Sequence, residues 1–166
     1  LPFEGCLAAD NGIGEEPLAP NQSWTAGASD ATFNYNRYAS TSVAAMTGMR
    51  IWGLTLAFDS AANGFAACVD PDMTLSVGAY GIDGEGLVGT AFAEASVLPV
   101  QQVVDLTYSG VYPLRRFDIE LAATGDIRWV KAASESANGL GDCWLLWMSS
   151  SVADDGLSTS LFDNGG

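Results

Sequence analysis

The chain has 166 residues, of which 48% are hydrophobic, and its formal net charge is −14 at pH 7. It contains no histidine, so it lacks the residue that proteins use most often for acid–base catalysis and metal binding near neutral pH. A negative charge of this size repels phosphate backbones, and we therefore expect no nucleic-acid partner. No apolar run reaches the roughly 18 residues of a transmembrane helix, which argues against membrane insertion.

Turn-forming residues dominate the first part of the chain. Asp10-Asn11-Gly12 and Pro20-Asn21 interrupt any long element there. We expect residues 1–40 to form an irregular segment that packs on a β domain made by residues 41–166, so that the whole chain is one domain. Because the sequence starts at Leu1 instead of Met, we expect a module cut from a longer secreted protein.

Apolar and polar residues alternate in short stretches from residue 41 onward, which is the pattern of half-buried strands. Trp52, Leu54 and Leu56, for example, share one face of a predicted strand. The predicted strands cover residues 41–46, 51–58, 73–80, 103–108, 117–122, 127–132 and 143–149. Turn signals separate them at residues 81–86, 108–110, 123–126 and 138–142. Such spacing is typical of a sandwich or a small barrel, and we predict an all-β fold, a single-domain antiparallel β-sandwich of jelly-roll-like form.

Three cysteines, Cys6, Cys68 and Cys143, occur without the CxxC spacing of a zinc or redox motif. Cys68 precedes the turn-like sequence Val69–Asp72, and Cys143 begins an apolar strand. We favour a disulfide between Cys68 and Cys143, which leaves Cys6 unpaired. Three reduced cysteines are the main alternative, and pairings that use Cys6 are others.

Carboxylates are the abundant reactive groups, and several lie in short loops. Two pairs, Asp70 with Asp72 and Asp83 with Glu85, place hard oxygen ligands in loops that proline or glycine constrains. They are our candidate metal ligands, for a structural Ca²⁺ ion. The alternative is that they are solvated turn residues, because aspartate side chains favour turns.

The common catalytic patterns do not occur in the sequence. There is no Gly-x-Ser-x-Gly motif, and a chain without histidine cannot build a Ser-His or Cys-His pair. A carboxylate pair for glycoside hydrolysis would have to come from Asp105, Asp118 or Glu120. These residues alternate with apolar neighbours, which indicates solvent-facing positions, so we predict no catalytic residue.

Aromatic residues are the best candidates for ligand binding. In the strand that starts at Cys143, alternation places Trp147 on the same face as Cys143 and Trp144 on the opposite face. We expect Trp147 in the core and Trp144 on a platform that stacks on sugar rings, with burial of both faces as the alternative. The candidate ligand-binding residues are Trp144, Trp129, Tyr80, Tyr35 and Tyr38.

Five features follow one another between about residues 45 and 150. They are the strand Ile51–Leu54, the acidic proline turn Cys68–Asp72, the strand and glycine-rich turn Met73–Gly89, the tyrosine-containing stretch Tyr108–Leu114 and the final strand Cys143–Ser149. In this order they resemble accessory β-sandwich modules of secreted, multidomain surface proteins of bacteria and archaea. The resemblance implies a jelly-roll-like sandwich outside the cytoplasm, appended to other domains and usually without catalytic residues.

The expected function is that of a non-catalytic extracellular module that binds carbohydrate or tethers neighbouring domains at a cell surface. Polysaccharides or neighbouring domains are the expected partners. A structural or adhesive subunit of a surface layer or filament is the competing interpretation, and a glycoside-active enzyme is a third.

Overall fold

Strands are the only regular elements in the part of the chain that the computed structural model describes, residues 36–108, 110–135, 142–147 and 160–163. They are β1 (Asn36–Asp59), β2 (Gly64–Ala67), β3 (Leu75–Ile82), β4 (Val88–Val97), β5 (Val100–Tyr108), β6 (Tyr112–Ser134), β7 (Trp144–Trp147) and β8 (Ser160–Asp163). Every pairing among these strands is antiparallel. The all-β, antiparallel character predicted from the sequence is therefore confirmed.

Two long strands, β1 and β6, form the centre of the sheet. Their ladder runs from the pair Arg37 and Ala132 to the pair Gly53 and Arg115. β3 pairs with the C-terminal part of β6, and β4 pairs with β3, whereas β5 pairs with the N-terminal part of β6. The short strands β2, β7 and β8 pair with β1, so all the described strands belong to one sheet.

This sheet curls into a half-barrel. The ladder between β1 and β6 changes register between Ser40 and Gly48 of β1, and such irregularities bend a strand and increase its twist. The described strands thus form one curled sheet. The two stacked sheets of a jelly-roll-like sandwich are not seen among them.

The turn predicted at residues 123–126 is wrong, because β6 continues through it. Gly125 has a φ of 145°, a conformation that favours glycine. A Cβ atom at this position would lie 2.7 Å from Cε1 of Phe92. The glycine therefore marks the place where a ring of β4 packs on the backbone of β6, and the strands predicted on either side of it are one strand.

Two further differences concern the strand boundaries. Strand β4 is missed in the sequence, because none of its side chains is fully buried and its inward positions 93 and 95 carry only alanine. β1 begins at Asn36, inside the segment that was expected to be irregular. Residues 1–35, with Cys6 and Tyr35, lie outside the described residues.

The larger core cluster lies on one face of the sheet, which we call the inner face. Met73, Leu75, Val77 and Ala79 are buried in it, as the alternation of their strand predicts. They pack with Ile51, Phe117, Ile119, Leu121, Ala123, Ile127, Ala132, Leu145 and Trp147. Because this cluster joins β1, β3, β6 and β7, its burial stabilises the curl of the sheet.

A second cluster lies on the opposite, outer face. It consists of Leu54, Leu56, Leu114, Trp144 and Leu146. Trp144 and Leu146 of β7 therefore face this cluster, while Leu145 and Trp147 face the inner one. β7 is apolar on both faces because both faces are covered.

Cys68 and Cys143 form a disulfide with Cα atoms 5.8 Å apart, and this is the pairing favoured from the sequence. It ties the segment after β2 to the start of β7. A structural disulfide is compatible with an extracellular protein. Within the described ranges, no helix is long and apolar enough to span a bilayer.

Candidate functional site

Three aromatic candidates, Tyr38, Tyr80 and Trp129, come together on the outer face of β1, β3 and β6. The rings of Tyr38 and Tyr80 meet edge to face, with their centroids 5.4 Å apart. None of the three residues is more than 8% exposed. Because a sugar ring cannot stack on covered rings, this cluster is not the platform expected from the sequence.

Tyr80 has a structural role in this cluster. Its hydroxyl donates a hydrogen bond to Oε1 of Glu94 at 2.6 Å, and its ring lies over Gly78, where any Cβ would collide with it. Burial raises the pKa of Tyr80, and the hydrogen bond to Glu94 and the neighbouring Tyr38 raise it further. The phenol is therefore held in its neutral form, as a donor to the carboxylate on the adjacent strand.

Trp144 and Trp147 are both buried, with 3% and 9% of their surface exposed. Trp144 packs with Leu56 and Leu114 in the outer cluster. The expectation of an exposed Trp144 is therefore wrong, and the alternative of burial on both faces holds. The last aromatic candidate, Tyr35, lies outside the described residues.

The acidic candidates act as turn residues. Oδ1 of Asp83 accepts hydrogen bonds from the backbone N–H groups of Glu85 at 2.9 Å and Leu87 at 2.8 Å. Oδ1 of Asp70 accepts one from the N–H of Asp72 at 3.0 Å. In the described ranges, no group of three acidic or cysteine side chains is placed to share a metal ion. This geometry supports the turn interpretation.

Asp118, one of the carboxylates considered for glycoside hydrolysis, has a fully buried side chain. Nε of Arg50 lies 2.6 Å from Oδ1, and Nη2 of Arg50 lies 3.3 Å from Oδ2. Nη2 of Arg116 lies 3.1 Å from Oδ2. The solvent-facing position expected for Asp118 is wrong, because two guanidinium groups draw it into an ion pair network. Asp105 and Glu120 are exposed, as expected.

Two glutamine–arginine pairs on β5 and β6 are not singled out by the sequence analysis. Oε1 of Gln102 accepts a hydrogen bond from Nη2 of Arg116 at 2.7 Å. Oε1 of Gln101 accepts one from Nη2 of Arg115 at 3.3 Å, and Nε2 of Gln101 donates to the carbonyl of Asp70 at 2.9 Å. Because successive strand residues point to opposite faces, the two pairs lie back to back. In the sequence, these pairs are marked by two consecutive glutamines on one strand and two consecutive arginines on the next.

The two arginines differ in their counter-ions. Arg116 pairs with Asp118, on the outer face. Arg115 is only 9% exposed, yet in the described part of the chain no carboxylate lies within ion-pair distance of it. The Nε atoms of both arginines are buried without a hydrogen-bond partner.

Exposed apolar residues are concentrated in one stretch of the described sequence. The described part of the chain has ten large apolar residues that are exposed, and eight of them lie between residues 82 and 111. They are Ile82, Leu87, Phe92, Leu98, Val100, Val103, Leu106 and Val111. We call the exposed apolar residues of β5, which are Val100, Val103 and Leu106, the edge surface, because this strand lies at the margin of the sheet. Among the described strands, β4 pairs only with β3 and β5 pairs only with β6.

Comparisons with known proteins found no relative, since no family model, curated protein or solved structure matches the chain. The candidate sites therefore rest on the geometry of the described residues.

Proposed function

We propose that this chain is a non-catalytic extracellular module that docks against a neighbouring protein domain or subunit through the edge surface. The observation that carries the proposal is that β5 has three large apolar side chains more than half exposed and pairs with no second strand among the described ones. Apolar residues scattered singly over a surface need no explanation, whereas several of them along one unpaired strand edge favour an interaction site.

The backbone of the same strands supports this proposal. An edge strand exposes unpaired N–H and C=O groups, and proteins usually protect such an edge with charges or proline. β5, with the sequence VQQVVDLTY, carries one charged residue, Asp105, and no proline. Val100, Val103 and Leu106 of this strand are each more than half exposed. A docked partner would cover these side chains and pair with the open edge.

Two further observations bear on where the module acts and what it joins. The disulfide between Cys68 and Cys143 favours an oxidising, extracellular location. The resemblance to accessory modules of surface proteins favours a tether between domains, and a jelly-roll-like arrangement of the complete chain belongs to the same proposal. A subunit of a surface layer or filament would use the same surface against a second copy.

The test compares two introduced cysteines in the full-length protein, in a background with Cys6→Ser. Val103→Cys lies on the edge surface and Ala62→Cys lies in the turn between β1 and β2, and both native residues are exposed. In the purified chain both thiols should react with a membrane-impermeant maleimide at similar rates. On intact cells that make the protein, Val103→Cys should be protected several-fold while Ala62→Cys still reacts.

The experiment tests the docking function and the extracellular location separately. Equal reaction of both thiols on intact cells would show that the edge surface is free, and would overturn the docking function. Reaction of Ala62→Cys only after lysis would overturn the extracellular location.

Carbohydrate binding is a second candidate, favoured by Trp52. This residue is half-buried at the margin of the outer cluster and is the ladder partner of Arg116, which in turn contacts Gln102. Trp52 offers an apolar ring, and Arg116 and Gln102 offer hydrogen-bonding groups beside it. Retention of the chain on a polysaccharide gel, lost in Trp52→Ala and kept in Phe65→Ala, would support it.

A further inference from the structure

Three side chains form a row across the outer face of β1, β6 and β5. Trp52 is the ladder partner of Arg116, and Arg116 is the ladder partner of Gln102. Because ladder partners point to the same face and neighbouring strands lie about 4.8 Å apart, the row is about 10 Å wide. All three residues are half-buried, so each is partly open to solvent. We call them the tryptophan row.

Each residue of the tryptophan row keeps an unused N–H group. Both side-chain bonds of Arg116 use Nη2, which donates to Oε1 of Gln102 at 2.7 Å and to Oδ2 of Asp118 at 3.1 Å. Nη1 of Arg116, Nε2 of Gln102 and Nε1 of Trp52 have no partner among the described residues. None of these three atoms is among the buried polar atoms that lack a partner, so all three are open to solvent.

The polar groups that remain open in the tryptophan row are thus hydrogen-bond donors. The carboxylate of Asp118 is fully buried and is shared by Arg50 and Arg116, so Arg116 has no carboxylate of its own among the described residues. Oε1 of Gln102 already accepts the bond from Arg116. A ligand that fits here must therefore bring acceptors, and an anionic acceptor gains a charge-assisted bond to the guanidinium.

The indole ring of Trp52 adds an apolar surface at one end of the row, at the margin of the outer cluster. Tryptophan combines a large apolar face with an N–H group at its edge. A sugar ring that carries a carboxylate has the complementary parts, because its C–H groups can cover the indole while its oxygen atoms accept the open N–H groups. An isolated carboxylate would use the donors and leave the indole uncovered.

We propose that Trp52, Arg116 and Gln102 bind a sugar acid, a pyranose ring with a carboxylate, as one unit of a glycan. This inference rests on carbohydrate binding, the second candidate function, and names its ligand class. The net charge of −14 opposes a densely charged polyanion, which favours glycans whose acidic units are separated by neutral ones. An acidic side chain of a protein would supply the carboxylate without the C–H face, and the first test separates the two.

The first test compares ligands that differ only in charge. The full chain is probed with galacturonate and glucuronate oligosaccharides and with their methyl esters, in which the carboxylate is neutral. The acids should bind about tenfold more tightly, because a charge-assisted hydrogen bond is roughly twice as strong as a neutral one. Trp52→Ala should lose the binding of both forms.

The outcomes distinguish the ligand class from the function on which it rests. Equal binding of acids and esters, lost in Trp52→Ala, would keep carbohydrate binding and refute the preference for acids. Binding of neither form would overturn both. Sodium acetate that competes as well as methyl glucuronide at equal concentration would refute the sugar ring and leave a plain carboxylate site.

The second test places a carboxylate inside the row. Gln102→Glu should pair with Arg116 and abolish the preference for acids, while the binding of esters changes by less than about twofold. Gln101→Glu is the matched control, because it adds the same charge at the adjacent position, where the side chain contacts Arg115 on the opposite face. It should keep the preference. A preference that survives in Gln102→Glu, or that falls equally in both variants, would overturn the site. The comparison of acids with esters in the wild-type chain does not depend on the folding of either variant.

Discussion

Thr55 and Cys68 are joined by two hydrogen bonds in opposite directions. Oγ1 of Thr55 donates to the carbonyl oxygen of Cys68 at 2.6 Å, and the N–H of Cys68 donates to the carbonyl oxygen of Thr55 at 2.9 Å. Thr55 is buried in the middle of the C-terminal part of β1. These two bonds hold Cys68 against the central strand β1, in addition to its disulfide with Cys143.

Replacing this hydroxyl gives the first prediction. Thr55→Val keeps the shape of the side chain but leaves the Cys68 carbonyl without its side-chain donor. We expect a loss of about 1–2 kcal/mol in the free energy of unfolding, measured by urea denaturation. Thr107→Val on the exposed part of β5 should change it by less than about 0.5 kcal/mol. Equal effects of the two changes would show that the hydroxyl of Thr55 has no special role.

The second prediction concerns the two buried tryptophans of β7. Trp144→Ala and Trp147→Ala each remove a large side chain from a packed cluster, one on the outer face and one on the inner face. Both should lower the free energy of unfolding by about 3–5 kcal/mol. Chemical denaturation at 25 °C measures this directly. If Trp144→Ala changed the free energy of unfolding very little, Trp144 would not be buried and could form the exposed platform expected from the sequence.

The third prediction separates a turn from a calcium site at Asp83. Asp83→Ala removes the acceptor of two backbone N–H groups and should cost about 1 kcal/mol or more. Asp83→Asn keeps an Oδ1 acceptor and should cost much less. Calcium and chelator should give the wild-type chain the same melting temperature. If Asn were as damaging as Ala, and if chelator lowered the melting temperature, the carboxylate would be a metal ligand.

The fourth prediction concerns alkaline pH. The folded chain raises the pKa of Tyr80 above the value of about 10 found in unfolded chains. The neutral phenol therefore makes its full contribution to the free energy of unfolding at pH values below 10. This contribution is lost as the pH rises further, since the unfolded state then releases the proton first. Tyr80→Phe also loses the bond to Glu94, which should cost about 1 kcal/mol at neutral pH.

The difference in stability between the wild-type chain and Tyr80→Phe should therefore shrink between pH 10 and 11.5. Urea denaturation followed by circular dichroism at each pH provides the comparison. A difference that stays constant or grows over this range would show that Tyr80 titrates freely in the folded chain.

The face of the sheet on which each side chain lies was well predicted within single strands. Leu75 and Val77 face the inner core, and Leu54 and Leu56 face the outer cluster, as alternation requires. This succeeds because burial on one face is a local property of a strand. The disulfide was also favoured correctly, since Cys68 and Cys143 each lie at the start of a loop or strand that can approach the other.

The length of the central strands could not be predicted in the same way. Gly48 and Gly125 resemble turn residues in the sequence, but both lie inside strands that bend. Gly125 leaves room for the ring of Phe92, which lies on another strand. The positions of Asp118 and Arg115 likewise depend on partners in β1 and β5, which no local pattern identifies.

The ladder between β1 and β6 also constrains how the chain folds. The residues that it pairs are about 60 to 95 positions apart in the sequence. Contacts of such high sequence separation slow folding, because the long intervening loop must close before the pairing stabilises anything. During synthesis β1 has no partner for its central edge until β6 has emerged, so the sheet cannot assemble progressively from its N-terminal end. The first part of the chain therefore remains without its central ladder until synthesis has passed the start of β6.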